Sequence, residues 1–156
     1  MLIRNLREAD FQAVTSVLND WWGGRQMAHL LPRLFFVHFS NTSFVIEENG
    51  QLIGFLCGFI SQSHPREAYI HFVGVHPAHR EKKLGRQLYE KFFSTVSQSG
   101  CDTVRCITSP VNKGSIAFHT QMGFDKEAGD QMVDGVSFAS DYDGKSNDRV
   151  LFVKKL

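Results

Sequence analysis

The sequence lacks several signals of specialised protein classes. Its three cysteines, Cys57, Cys101 and Cys106, include no CxxC pair, which favours a reducing compartment over a disulfide framework or a structural zinc site. Its apolar runs are too short for a bilayer-spanning helix, and the first residues lack the apolar core of a signal peptide. We therefore expect a cytoplasmic protein with no membrane partner.

An excess of charge of either sign is also missing. The chain has 17 Lys and Arg against 16 Asp and Glu, a formal net charge of +1. Proteins that bind nucleic acids or anionic membranes usually carry a basic excess, so we expect neither partner, and any basic patch must be local. With 42% hydrophobic residues and no internal repeat or linker, residues 1–156 are expected to form a single globular domain.

The periodicity of apolar residues predicts an α/β (α+β) fold. Helical spacing occurs in 8–21, 27–39, 84–96 and 112–122, and strand patterns occur at 2–6, 42–61, 67–77, 102–108, 132–139 and 148–156. Asn49-Gly50 divides the second strand segment into a hairpin, because both turn positions favour positive φ. A doubly wound dinucleotide fold is excluded, since strands and helices do not alternate from the start and no GxGxxG follows the first strand.

The stretch VGVHPAHREKKLGRQLY, residues 73–89, joins a strand to a helix through a basic turn. A helix N-terminus exposes unpaired N–H groups and a partial positive charge, which suit a phosphate. The basic side chains add positive charge, and Gly85 would let a phosphate approach the backbone without a Cβ in the way. The sequence of this turn alone is equally compatible with a phosphate-binding site and with a solvated basic connector.

Two stretches together resemble the GNAT family of N-acetyltransferases. VGVHPAHREKKLGRQL resembles that family's coenzyme A motif, in which Arg/Gln-x-x-Gly-x-Gly/Ala links a strand to a helix. NKGSIAFHTQMGF, further along the chain, resembles its second signature. The resemblance covers essentially the whole chain and implies a mixed, mostly antiparallel sheet with a splay between the fourth and fifth strands, flanked by helices on both faces. It also implies acetyl-CoA as the acyl donor.

The resemblance assigns cofactor contacts to two regions. The pyrophosphate is expected on the basic turn: Arg80, Glu81, Lys82, Lys83, Leu84, Gly85 and Arg86. The pantetheine arm is expected in the splay, bonded to the backbone of Val73 and Val75, with the Val73 N–H polarising the thioester carbonyl. Gly74 between them would permit close backbone approach or a bulge.

Asn112 and Ser115 open the helix of the second signature. Asn112 can cap this helix, contact the pantetheine as in the family, or do both. Ser115 lies one turn later on the same face, where it is also expected near the cofactor.

Lys83 departs from the family pattern, because it stands where the first glycine usually lies. A left-handed conformation there would strain Lys83 by roughly 1 kcal/mol. A helical conformation would cost little and would place a cation near the pyrophosphate. We favour the helical alternative, since Arg80 and Gly85 stay in register.

Two histidines are candidates for proton transfer. His119 stands where the family commonly has the tyrosine that protonates the leaving thiolate, so it is expected to act as that acid, to orient the sulfur, or simply to shape the acyl pocket. Strand alternation places Tyr69, His71, Val73 and Val75 on one face, which makes His71 the best candidate for the base. A hydrogen-bonded, half-buried structural histidine is the simpler explanation of the same residue. His76 and His79 have no third ligand partner in the sequence, so no metal is expected.

The acceptor side is expected to include DWWGGRQM, residues 20–27. Trp21 or Trp22 could form a wall and Arg25 could bind a carboxylate, with Tyr69 and His71 nearby. Asp141 and Asp143 could attract a cationic amine, although an exposed polar hairpin loop explains them better.

The resulting prediction is an acetyl-CoA-dependent N-acetyltransferase acting on a primary amine of a small or amino-acid-like molecule. Neither motif contains a cysteine, so we expect direct attack in a ternary complex without a covalent enzyme intermediate. The alternatives are a non-catalytic acyl-CoA sensor and an acyltransferase acting on a protein amine. The oligomeric state is left open and is compatible with a homodimer.

Overall fold

A computed structural model describes all 156 residues. The helices are α1 Phe11–Trp21, α2 Leu34–His38, α3 Leu84–Gln98 and α4 Lys113–Gln121. The strands are β1 Leu2–Asn5, β2 Phe44–Glu48, β3 Gln51–Ile60, β4 Glu67–Val75, β5 Thr103–Thr108, β6 Asp125–Lys126, β7 Gln131–Val133, β8 Val136–Phe138 and β9 Val150–Lys155. The predicted order is confirmed, except that β6 was missed and the strand expected near 132–139 is a hairpin of β7 and β8.

Seven strands form one sheet in the order β1-β2-β3-β4-β5-β9-β6. Every neighbouring pair is antiparallel except β4 and β5, which run parallel. The short β7–β8 pair forms a separate sheet. The mixed, mostly antiparallel sheet expected from the sequence is therefore confirmed.

The parallel pair is the position at which the sheet opens. Pairing between β4 and β5 is confined to Glu67–Tyr69 against Thr103–Arg105. Beyond this short ladder, the rest of β4 has β3 as its only strand partner, and the rest of β5 has only β9. The predicted splay between the fourth and fifth strands is thus present.

Helices cover both faces of the sheet and bury separate apolar clusters. On one face, a cluster of 18 buried residues includes Leu84, Leu88 and Phe92 of α3. On the other, a cluster of 10 includes Leu18 of α1 and Phe36 of α2. Each such side chain stabilises the fold by about 1.5–3 kcal/mol relative to exposure, which holds the helices against a sheet that is partly open. None of the helices combines the length and apolarity that crossing a bilayer requires.

A β-bulge interrupts the pairing of β3 with β4. Cys57 is opposite Phe72 and Gly58 is opposite Ile70, so His71 is the extra residue on β4. On the other side of β3, the backbone N–H and C=O of Gly58 bond the hydroxyl of Ser43, at 3.1 and 3.2 Å. Ser43 precedes β2, so this buried hydroxyl satisfies the Gly58 backbone where the pairing of β2 with β3 has ended.

The bulge corrects the predicted faces of β4. His71 stacks on Phe35 of α2 with ring centroids 4.3 Å apart, and Phe72 belongs to the cluster on that same face. Val73 and Val75 pack instead against the cluster beneath α3. The expectation that Tyr69, His71, Val73 and Val75 share one face is therefore wrong, because simple alternation does not hold across an inserted residue. Gly74 is not the bulge, since it pairs in register with Phe55.

The conformation of Lys83 is also corrected. It has φ 57° and ψ 31°, in the left-handed region, and it is the residue immediately before α3. The sequence-based preference for a helical Lys83 is wrong. One residue in the left-handed conformation connects the 3₁₀ turn Pro77–Lys82 to α3. A glycine adopts that conformation without a clash of its Cβ, because it has none.

Replacing Lys83 by glycine is expected to stabilise the protein by about 1 kcal/mol, because it removes the left-handed strain of a residue with a Cβ. Urea denaturation of the purified variant measures this difference. Lys82→Gly is the matched control: it removes a neighbouring lysine that has an ordinary conformation and is expected to destabilise by about 0.5–1 kcal/mol. Equal effects of the two changes would contradict the assigned strain.

Candidate active site

A cavity of about 710 Å³ occupies the opening between β4 and β5. Residues of the α1–α2 side, such as Trp22 and Leu30, line one part of it, and residues of α4, such as Phe118 and His119, line another. The cavity therefore connects the two faces of the sheet through the opening. Two molecules could enter from opposite faces and meet between the strands.

The cavity brings together most of the residues predicted for cofactor and acceptor. Those lining it are Trp22, Arg25, Tyr69, His71, Val73, Val75, Arg80, Gly85, Asn112, Ser115 and His119. Those outside its lining are Trp21, Glu81, Lys82, Lys83, Leu84 and Arg86. Trp21 is 6% exposed and stacks on Phe55, so it belongs to the core. Leu84, the first residue of α3, is buried in the cluster between α3 and the sheet.

The start of α3 offers backbone N–H groups at the edge of this cavity. The first bond of the helix runs from the Gln87 N–H to the Lys83 carbonyl at 3.2 Å. The amides of residues 84–86 precede that bond and are therefore free to bind an anion. Gly85 lies in the cavity wall, and a Cβ there would meet only the Phe118 ring, at 3.4 Å.

The basic side chains of the turn are mostly engaged elsewhere. Arg80 donates to the Trp21 carbonyl at 2.6 Å and to the Val75 carbonyl at 3.4 Å, which ties the end of β4 to the end of α1. Lys82 lies 3.7 Å from Glu48, and Arg86 lies 3.6 Å from Glu90. Arg80 therefore shapes the cavity mouth as much as it adds charge.

Asn112 caps α4, as one of its two predicted roles requires. Its Oδ1 accepts a hydrogen bond from the Ser115 N–H at 3.1 Å. Asn112 also lines the cavity, so its predicted contact with the pantetheine stays open. The cap fixes the start of α4 and hence the position of Ser115 and His119 one and two turns later.

His119 is held through both ring nitrogens by protein groups. Nδ1 lies 2.7 Å from the Ser115 carbonyl, which can only accept, so Nδ1 carries the proton. Nε2 lies 2.8 Å from the Tyr89 hydroxyl and accepts its hydrogen bond. Burial lowers the pKa of His119, which favours this neutral form.

Tyr89 was not predicted as a cavity residue, because it lies among the apolar side chains of α3. It is 3% exposed, and burial raises the pKa of its hydroxyl well above the usual value. A tyrosine in a buried helix face needs a hydrogen-bond partner for its hydroxyl. This requirement could have indicated that Tyr89 faces another polar group.

His71 lies on the α1–α2 side of the cavity. Its Nε2 donates to the Leu30 carbonyl at 2.7 Å, because a carbonyl can only accept. In the neutral ring, Nδ1 is then unprotonated and available as a base. Three His, Cys, Asp or Glu side chains do not converge anywhere as a metal site would require, and His76 Nδ1 instead accepts from the Ala78 N–H.

The loop after α1 forms the acceptor-side wall. Gly23 and Gly24 both have positive φ, 68° and 88°, and turn the chain so that Trp22 and Arg25 line the cavity. Trp22 packs on Phe72 and over Gly74, where a Cβ would lie 2.9 Å from the indole. The absence of a Cβ at Gly74 is therefore needed so that side chains, rather than a ligand, can pack closely against the backbone of β4.

Few charged side chains line the cavity. Arg25 lines the cavity and forms no ion pair. Asp143 lines it too, but its carboxylate accepts from Arg149 at 2.9 Å. Arg149 was not predicted, because nothing in its local sequence distinguishes it from an ordinary surface arginine. Asp141 caps its own loop by accepting from the Ser146 N–H.

Solved structures with this topology identify the class. A GNAT-family acetyltransferase structure from Desulfovibrio desulfuricans superposes with a TM-score of 0.81 at 16% identity, covering 99% of this chain and 98% of that one. YncA of Salmonella typhimurium, solved with its cofactor acetyl-CoA, superposes with a TM-score of 0.72 at 25% identity, covering 100% and 94%. The fold is that of the N-acetyltransferases.

The sequence places the chain within that class more specifically. The Acetyltransferase (GNAT) family profile matches residues 4–124, so this protein belongs to the GNAT family. The L-2,4-diaminobutyric acid acetyltransferase of Virgibacillus pantothenticus is 32% identical over 74 residues, which are 47% of this chain and 46% of that protein. The chain therefore spans less than half the length of the curated relatives it matches.

Gly74→Ala is expected to destabilise the protein by about 1–3 kcal/mol, because the added methyl would overlap Phe55 and Trp22 at 2.5 and 2.9 Å. Its unfolding midpoint in urea measures the loss. Gly54→Ala on β3 is the control, since its nearest neighbours lie at an ordinary 3.5 Å. If both variants unfold at the wild-type midpoint, the close packing over Gly74 does not hold.

Proposed function

We propose that this protein is an N-acetyltransferase that uses acetyl-CoA to acetylate a primary amine of a small or amino-acid-like molecule. The observation that carries the proposal is the cavity through the opened sheet. One entrance meets a free strand edge and the start of α3, and the other meets the loop of Trp22 and Arg25. Donor and acceptor would then approach the same point from opposite faces.

The donor side fits the chemistry of coenzyme A. An extended pantetheine arm can bond the free backbone edge of β4 at Val73 and Val75 as an added strand. The pyrophosphate can bind the N–H groups at the start of α3. The relative from Salmonella typhimurium that was solved with acetyl-CoA shares this fold at 25% identity, which supports the same cofactor here.

The reaction follows from these positions. A neutral amine attacks the thioester carbon, the carbonyl oxygen gains negative charge, and the Val73 N–H stabilises that charge. Nδ1 of His71 accepts the amine proton directly or through water. The carbon–sulfur bond then breaks, its electron pair goes to sulfur, and the thiolate takes up a proton. No enzyme nucleophile is required, and burial raises the pKa of the cavity thiol Cys106, which makes it a poor one.

Arg25 supports an acceptor that carries a carboxylate. It is a cavity cation without an ion-pair partner, and a guanidinium binds carboxylates through two parallel hydrogen bonds. The relative from Virgibacillus pantothenticus is named for an amino acid with a second amine, which is a molecule of this kind.

A non-catalytic acyl-CoA sensor is the second candidate. The specific observation in its favour is that His119, at the position of the family's acid, has both ring nitrogens committed to protein groups. Turnover of acetyl-CoA against a panel of amines distinguishes the enzyme from the sensor.

We further propose a cytoplasmic location, supported by three unpaired buried cysteines. A homodimer stays a prediction.

Coenzyme A is expected to raise the melting temperature of the protein. A ligand at 100 times its Kd stabilises by about 2.7 kcal/mol, which for a chain of this size corresponds to roughly 5–10 °C. Pantetheine, which lacks the pyrophosphate, is the matched ligand and should shift the temperature less. The absence of any shift with coenzyme A would contradict both candidate functions.

Arg25→Ala is expected to raise KM about tenfold for amines that carry a carboxylate, with kcat nearly unchanged, because a binding contact outside the reacting atoms is lost. Amines without a carboxylate should show no change. The steady-state kinetics of Arg7→Ala, which removes an exposed arginine outside the cavity, provide the control. An equal effect on both amine classes would exclude Arg25 as the carboxylate partner.

A further inference from the structure

A buried polar pair in the cavity wall has no part in the contacts proposed above for donor and acceptor. Tyr89 of α3 and His119 of α4 both line the cavity, and Tyr89 Oη lies 2.8 Å from His119 Nε2. Around them, Phe118, Phe124 and Phe152 form an aromatic shell. A hydrogen-bonded pair in such an apolar wall is costly to bury unless each group is satisfied, and these two satisfy each other.

We propose that Tyr89, positioned by His119, protonates the thiolate that leaves during acetyl transfer. This inference rests on the proposed acetyltransferase function. It assigns the acid to a different helix from the one that carries the family's tyrosine, whose place His119 occupies. Tyr89 would be the catalytic residue, and His119 the residue that positions it.

The distribution of protons in the pair favours Tyr89. The one proton of neutral His119 lies on Nδ1 and is directed at the Ser115 carbonyl, 2.7 Å away. His119 therefore has no proton to give without breaking that bond. The Tyr89 O–H is held only by the lone pair of Nε2, and rotation about its C–O bond can turn it toward the cavity.

The proton balance closes without another reactant. When the carbon–sulfur bond breaks, its electron pair goes to sulfur, and the Tyr89 O–H proton transfers to that thiolate to form the free thiol. The proton that the amine loses reaches His71 or water and returns to the Tyr89 oxygen through solvent once the thiol has left. Exclusion of water from the site raises the basicity of the nascent thiolate as well as that of the phenolate, which favours proton transfer to the sulfur.

Titration distinguishes Tyr89 from His119 as the acid. A histidine acid would lose activity as the pH rises through the pKa of His119, which burial lowers, because only its charged form donates. A tyrosine acid keeps activity into the alkaline range. The titratable groups that face this pair are the two residues themselves and the Cys106 thiol of β5, while Lys154 of β9 lies over the Phe93 ring.

Tyr89→Phe is the direct test, since it removes only the hydroxyl. We expect kcat to fall about 100-fold, with KM and the coenzyme A-induced melting shift unchanged. Tyr142→Phe, which removes a hydroxyl from a residue 51% exposed and outside this cavity, should leave kcat at the wild-type value. Wild-type kcat in Tyr89→Phe would overturn the proposal.

Substitution of His119 tests the positioning role. His119→Gln keeps an acceptor for the Tyr89 hydroxyl and should retain more kcat than His119→Leu, which has none. A fluorinated tyrosine at position 89 preserves the shape of the core and should move the alkaline limb of the kcat profile to lower pH. An alkaline limb that does not move would show that Tyr89 is not the acid. So would a loss of activity already in the acidic range that disappears in His119→Gln.

Coenzyme A binding and turnover by the wild-type protein separate a failure of the acetyltransferase function from a failure of the Tyr89 role. A wild-type protein that neither binds coenzyme A nor acetylates any amine refutes the proposed function itself. An active wild type whose Tyr89→Phe variant is equally active refutes only the role of Tyr89. Circular dichroism and the melting temperature of each variant show that a loss of kcat does not reflect a loss of the fold.

Discussion

The structure depends on one interruption of hydrogen bonding, the loss of pairing between β4 and β5 beyond Tyr69 and Arg105. A central sheet normally satisfies every backbone group through its neighbours, so an opening there leaves donors and acceptors for another extended chain. The cavity, the free edge of β4 and the approach to the α3 start all follow from it. A continuous sheet in the same place would leave no path between its two faces.

Keeping the opening requires compensation elsewhere. Ser43, which is fully buried, bonds the backbone N–H and C=O of Gly58 on the β2 side of β3, next to the bulge. Arg80 ties the free end of β4 to α1 through two backbone carbonyls. The apolar clusters beneath α1 and α3 cover opposite faces of the sheet. The cluster beneath α3 includes Ile70 of β4 and Cys106 of β5, so it packs against both strands that the opening separates. Arg80 therefore stabilises the fold at the mouth of the cavity that it also lines.

Local chemistry made much of this architecture predictable. Asn49 and Gly50 both have positive φ, as the hairpin signal required, and Asn112 caps α4 through its own side chain. Lys83 was misassigned because its conformation depends on how the 3₁₀ turn meets α3, which lies beyond the range of residue propensities. Trp21 and Trp22 are adjacent and alike, yet only the packing of Phe55 and Phe72 decides which of them reaches the cavity.

By itself, the sequence determined the order of the elements, the helix start that suits an anion and the family motifs, because these depend on neighbours within a few residues. Tertiary structure decided which groups share a wall. A single inserted residue at His71 moved Val73 and Val75 to the opposite face from His71. Tyr89 and His119 lie 30 positions apart and meet only because α3 and α4 pack on the same side of the opened sheet. Such contacts result from packing across the fold, and no local pattern encodes them.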